Sequence, residues 1–262
     1  MPSSTKTSEL DRLIPAEVKN DPLYHAILSL ARTENIRTVL EIGSSSGEGS
    51  TEAFVRGLRE NQNRPQLFCM EVSKPRFEAL RQRYTADSFV RPYHVSSVPV
   101  EKFPSEECLA AFYHAHLAAR FGFPLNEFLR WRQVDIDYIT ASGVPTNGIR
   151  LIKQENGIEF FDVVLIDGSE FTGQAELAEV YGARFILLDD STVFKNLGNF
   201  ERLMADPGYR LRESNECVRN GYAIFERVNG GRPAPNSDAA MGTHIHRPQQ
   251  SVHFVNPPSF LS

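Results

Sequence analysis

The chain has 262 residues, with 28 Lys plus Arg against 33 Asp plus Glu and a formal net charge of −5. That length suits one large or two small domains, and the acidic balance gives no electrostatic reason to expect a phosphate-backbone partner, so no nucleic acid is expected. No apolar run approaches the ~20 residues of a membrane span, and the polar start (Met1 to Leu10) lacks the features of a secretory signal or transit peptide, so a cytoplasmic protein with no membrane partner is expected.

A polar lead over residues 1–21 ends at Asp21-Pro22, a helix-start signal, after which Leu23, Ala26, Ile27 and Leu30 fall on one helical face. Residues 37–42 are rich in β-branched side chains and read as a strand stopped by Gly43; residues 51–61 read as a helix with Phe54, Val55 and Leu58 as its apolar stripe. The same order recurs, with strands at 67–71, 89–95, 160–166 and 184–188 and helices at 74–84, 173–181 and 196–204. The nearly unbroken apolar runs at 160–166 and 184–188 have the pattern of parallel strands covered on both faces. Segments 209–213 and 222–228 can pair antiparallel. Strands alternating with helices of this length predict an α/β, Rossmann-like parallel sheet with right-handed crossovers and an antiparallel terminal strand.

Two stretches break the repeat. Residues 104–157 form a helical insertion that carries Phe112, Tyr113, Phe121, Phe123, Phe128 and the only tryptophan, Trp131, either as a cap over a site or as the core of an extra helical layer. Residues 229–262 show no apolar periodicity and predict an extended or disordered tail, in which His244 and His246 read as incidental rather than as a metal pair. Cys69, Cys108 and Cys217 are odd in number and widely spaced, which fits neither a disulfide framework nor a metal motif, and all three are expected as buried thiols.

The strongest chemical signal is the segment from Val39 to Thr51, with Glu41, Gly43, Gly47 and Gly49-Ser50 at the junction of the first strand and the next helix. Glycines there let the backbone approach a ligand closely, and the helix start offers unpaired N–H groups. A dinucleotide fingerprint would need glycine where this chain has Ser45, and Glu41 would meet a pyrophosphate with the wrong sign. A ligand carrying an ammonium and a sulfonium suits an acidic turn better, and S-adenosylmethionine is such a ligand.

On Glu41, Gly43, Gly47 and Gly49-Ser50 the chain resembles the class I S-adenosylmethionine-dependent methyltransferases, in the form found in small-molecule O-methyltransferases of the catechol and caffeoyl-CoA types, and the stretch from Asp167 to Glu170 also resembles the macrolide-sugar O-methyltransferases. The resemblance covers residues 22–228, the expected methyltransferase domain, and includes the antiparallel terminal pair. It implies S-adenosylmethionine as cofactor, held by Glu41, Gly43, Ser45, Gly47, Ser50, Glu71, Val72, Ser97 and Val98. Glu71 ends the second strand, where the family's acidic side chain accepts hydrogen bonds from both ribose hydroxyls; Ser97 and Val98 follow the third strand, the region that lies against adenine. The resemblance also implies a divalent metal, Mg²⁺, on Asp167, Asp189 and Asp190. Asp167 is placed at the reacting centre, with Glu170 as the general base where relatives carry lysine or histidine. No Asp-Pro-Pro-Tyr-type motif follows the fourth strand, which argues against exocyclic amines of nucleic acid. The expected reaction is methyl transfer to a small-molecule or sugar hydroxyl, and a homo-oligomer stays open. A Rossmann-type nucleotide-binding oxidoreductase and a non-catalytic partner module on the same fold are the alternatives.

Overall fold

The computed structural model describes residues 9–13 and 15–228, so the tail with His244 and His246 lies outside the described residues. Asp21 caps the first helix, α1 (Pro22–Thr33), by accepting from the Tyr24 amide at 2.8 Å, while Pro22 opens its first turn. There follow β1 (Thr38–Ile42), α2 (Ser50–Glu60), β2 (Gln66–Glu71), α3 (Lys74–Arg83) and β3 (Val90–His94). Next come α4 (Glu106–Phe112), a π-helical turn at Tyr113–Leu117, α5 (Leu125–Ser142) and α6 (Gly148–Asn156). The chain closes with β4 (Val163–Ile166), α7 (Gly173–Val180), β5 (Phe185–Asp189), α8 (Leu197–Ala205), β6 (Tyr209–Asn215) and β7 (Tyr222–Arg227).

These strands form one seven-stranded sheet in the order β3-β2-β1-β4-β5-β7-β6. The five strands β1 to β5 are parallel, and β7 pairs antiparallel with both β5 and β6. This is the mostly parallel, Rossmann-like sheet with an antiparallel terminal strand expected from the sequence. Because strand side chains alternate between faces, Val39, Leu67, Cys69, Val163, Leu165 and Leu187 face α1 and α2, while Leu40, Ile42, Phe68, Val164, Ile166 and Leu188 face α6 and α7. Each set is buried, so β1, β2, β4 and β5 are covered on both sides, whereas the edge strand β3 is only partly buried.

Several boundaries differ from the pattern. The fourth strand starts at Val163 rather than at 160, because Asp162 turns its carboxylate onto the Arg37 and Thr38 amides at 2.7 and 3.0 Å. Phe160 is left exposed ahead of the strand. Within the expected insertion, α6 puts Ile149 and Ile152 into the core on one face of the sheet and so acts as the crossover helix from β3 to β4. The extra layer proper is α4, the π turn and α5, whose Leu109, Tyr113, Phe128 and Ile139 make a third cluster with Phe171, Val193 and Phe194. Of the three free cysteines only Cys69 is buried; Cys108 is half-buried and Cys217 is exposed, since it sits in the loop between β6 and β7. No helix among the described residues is long and apolar enough to cross a membrane.

Candidate active site

The turn after β1 is set by Gly43. Its φ is +90°, and a Cβ there would stand 2.0 Å from the Asp167 carbonyl oxygen, so the turn can lie against the end of β4 only without a side chain. Beside it opens a cavity of about 320 Å³ at the carboxyl ends of the parallel strands, where open α/β sheets bind ligands. Gly43, Ser45, Ser50, Glu71, Val72 and Ser97 line it, as do Asp167, Asp189 and Asp190.

Three residues expected at the cofactor lie elsewhere. Glu41 is fully buried beneath the turn, where its Oε2 accepts from Ser44 Oγ at 2.8 Å and Thr51 Oγ1 at 2.7 Å. Burial pushes its carboxyl above the ordinary range against the pull of those hydroxyls. Glu41 therefore fastens the turn to the first turn of α2 and does not face a ligand. Gly47 packs on α3: a Cβ would meet Leu80 and Tyr84 at 2.8 Å, and the Tyr84 hydroxyl donates to its carbonyl at 2.5 Å. Val98 is in the core, with its carbonyl accepting from Ser96 Oγ at 2.8 Å.

Glu71 stands at the cavity end of β2. Its Oε1 accepts from the Ser73 amide at 2.7 Å, which fixes the carboxylate plane, and burial raises its pKa while that amide lowers it. In the loop after β3, Ser97 donates its hydroxyl to Oε1 of the buried Glu176 on α7 at 2.6 Å, and Thr172, just before α7, donates to the same oxygen at 2.7 Å.

At the far end, Asp167, Asp189 and Asp190 can bring one oxygen each within 4.8 Å of the others. Those oxygens already have cations. Lys195, buried in the loop between β5 and α8, places Nζ 3.0 Å from Asp167 Oδ1 and 2.6 Å from Asp190 Oδ2. The Arg219 guanidinium pairs with Asp189 Oδ1 and with Asp21. Burial by itself would lower the lysine's pKa, but Asp190, Asp167, Glu170 and Asp189 hold it well above the ordinary value. A divalent ion among these oxygens would lie a few ångströms from a buried ammonium, where even two unit charges at ~4 Å repel by about 4 kcal/mol at an effective dielectric near 20. The three aspartates do come together as expected for a metal, but with Lys195 in place the cluster as built does not fit Mg²⁺. Burial raises the carboxyls of Asp167 and Asp189, with Lys195 opposing and the neighbouring aspartates adding to the rise.

Glu170 does not line the cavity. It lies behind the lysine, where its Oε1 accepts from the Lys195 amide at 3.3 Å, and burial pushes its pKa up to about 8. It is placed to position Lys195, not to meet an acceptor.

Four groups at the site escaped the sequence reading. Lys195 lies five residues after Asp190, so its nearness to the aspartate pair was a usable signal. Asp135 comes from α5 in the insertion and accepts from Ser169 Oγ at 2.5 Å, with its carboxyl pushed by burial to about 6; no local pattern marked it. Phe103 and Ile139 add apolar wall from the same layer. Finally, Leu10 and residues 15–18 line the cavity, and Asp11 accepts from Ser73 Oγ at 3.2 Å and Tyr138 Oη at 2.5 Å, so the polar lead is part of the site.

No protein-family profile matches the chain, and no curated protein matches it. Among solved structures, the O-methyltransferase from Bacillus cereus in complex with SAH is 14% identical, over 87% of this chain and 94% of that one, with a TM-score of 0.49. A methyltransferase from Geobacter sulfurreducens is 11% identical, over 81% of each chain, with a TM-score of 0.49. The SAH-bound Podospora anserina methyltransferase PaMTH1 is 14% identical, over 79% and 78%, with a TM-score of 0.46.

Proposed function

We propose that the protein is an S-adenosylmethionine-dependent methyltransferase that acts on a hydroxyl of a small molecule or sugar. The observation that carries this reading is the acidic lining of a cavity built around a glycine turn: seven carboxylates (Glu17, Glu48, Glu71, Asp135, Asp167, Asp189 and Asp190) line it against the cations Arg76 and Lys195, and they stay in excess even with Arg219 paired to Asp189 and Arg83 to Glu48. A pyrophosphate would be repelled there, whereas a ligand bearing a sulfonium and an ammonium gains from it. Glu71 supports the same reading, since a fixed carboxylate can accept from both hydroxyls of a ribose.

In the reaction the acceptor oxygen uses a lone pair to form the bond to the methyl carbon, and the carbon–sulfur bond breaks with its electron pair going to sulfur. The hydroxyl proton passes to a carboxylate of the cavity wall, a role we assign to Asp167, which lines the cavity. The chain's own contribution is chiefly to hold donor and acceptor in line and away from water. Phe103 and Ile139 supply the apolar wall that excludes water, and Asp135 with Ser169 supplies a polar contact on the insertion side. The acceptor is a small molecule rather than nucleic acid, in keeping with the acidic lining.

Calorimetric titration with S-adenosylhomocysteine and, separately, NAD tests the reading. Binding of the first at one per chain with no heat from the second is expected. Binding of NAD alone would replace it with the oxidoreductase reading, and binding of neither would leave a partner module on this fold.

A further inference from the structure

Resting on the proposed methyl transfer, we infer that Lys195, rather than a divalent metal, is the cation that the aspartate cluster presents to the acceptor. The ammonium has three N–H donors; Asp167 and Asp190 take two, at 3.0 and 2.6 Å, and the third is left for an oxygen in the cavity that Lys195 lines. That arrangement does for an acceptor oxygen what a metal does electrostatically: it sets a full positive charge against the oxygen at a fixed point in a site of low dielectric.

The lysine is held as a built element and not as a surface side chain resting in a pocket. Its side chain is 8% exposed. Its amide donates to Glu170, and its carbonyl packs so closely on the start of α7 that a Cβ on Gly173 would come within 2.0 Å of it. The next residue, Asn196, spans the ends of β4 and β5 with one amide group, donating to the carbonyls of Ile166 at 3.0 Å and Asp189 at 2.6 Å. The loop that carries Lys195 is thus tied to the two strands that carry Asp167 and Asp189. These contacts hold the backbone that carries the lysine, and the ion pairs to Asp167 and Asp190 hold its ammonium within the acidic cluster.

The test uses Mn²⁺ as the probe, read by electron paramagnetic resonance and by thermal melting, on the wild type, Lys195→Met and the double variant Lys195→Met/Asp190→Asn. The wild type is expected to show no specific Mn²⁺ site and no shift in melting temperature. Lys195→Met should bind one Mn²⁺ per chain at least tenfold more tightly, be stabilised by it, and lose both effects in the double variant. One tightly bound Mn²⁺ in the wild type, removed by Asp190→Asn, would overturn the inference; so would a Lys195→Met protein that folds and gains no Mn²⁺. Where Lys195→Met fails to fold, the wild type decides through the ¹⁵N signal of the Lys195 ammonium, which Mn²⁺ should leave sharp and would broaden if the metal entered the cluster. Binding of S-adenosylhomocysteine to the wild type is read in parallel. Its failure with the Mn²⁺ result intact would remove the methyltransferase reading while leaving the lysine in the metal's place.

Discussion

Asp135→Asn is expected to stabilise the protein at alkaline pH and not in acid. Asp135 is a carboxylate drawn by α5 into the cavity wall, with Ser169 Oγ at 2.5 Å, and burial pushes its pKa from 3.8 to about 6. The folded chain then binds this proton more tightly than the unfolded chain, so stability falls as pH rises from about 4 to about 6, and the cost stays in full above that window. About two pKa units correspond to ~3 kcal/mol as an upper bound. The group's partial exposure reduces this to ~1–2 kcal/mol. Asparagine keeps an oxygen for the Ser169 hydroxyl and removes the charge, so the variant should exceed the wild type by that amount at pH 8 and match it near pH 4. Urea denaturation at pH 4, 6 and 8 measures the difference, and comparison at each pH cancels the titration of the other buried acids. A difference independent of pH, or a variant less stable at pH 8, would show that the buried Asp135 carboxyl is not the group that titrates.

Glu71→Ala should weaken S-adenosylhomocysteine by ~1.5–3 kcal/mol, the cost of lost hydrogen bonds to a charged group, and calorimetry reads it directly; unchanged affinity removes Glu71 from the cofactor site. Gly43→Ala should lower stability by at least ~3 kcal/mol, since a left-handed φ and a 2.0 Å approach to a strand carbonyl act together; a melt close to wild type would show that the turn can move. Glu170→Gln should be nearly silent in thermal melts at pH 7, where a carboxyl with its pKa raised to about 8 is already mostly protonated. The same variant should become the more stable protein at pH 9, because the wild type must then ionise a buried group.

Much of the fold was legible because burial on both faces leaves an apolar run that survives without context, as at Val163–Ile166 and Phe185–Asp189. The glycine turn was legible for a related reason: Gly43 has a steric duty that no other residue meets. What the pattern obscured was which way a polar residue points. Glu41 follows Val39 by two, and a period of two puts both on the sheet face under α2; its charge drew attention to a ligand where its position indicated the interior. The insertion hid two things. α6 is an amphipathic helix, and amphipathicity alone does not separate a crossover helix from an added one. Asp135 reaches the site only through the packing of α5, at a distance in sequence that no motif spans. Lys195 was within reach of a local reading, because a buried run of aspartates requires a counterion and the nearest lysine follows it by five residues.

The decisive measurement is a crystal structure of the protein grown with S-adenosylhomocysteine. The ribose hydroxyls are expected on Glu71, adenine near Ser97, and the sulfur directed toward the end of the cavity where Lys195 joins Asp167 and Asp190. Density for the ligand elsewhere, or a ribose that leaves Glu71 without a contact, would contradict that placement.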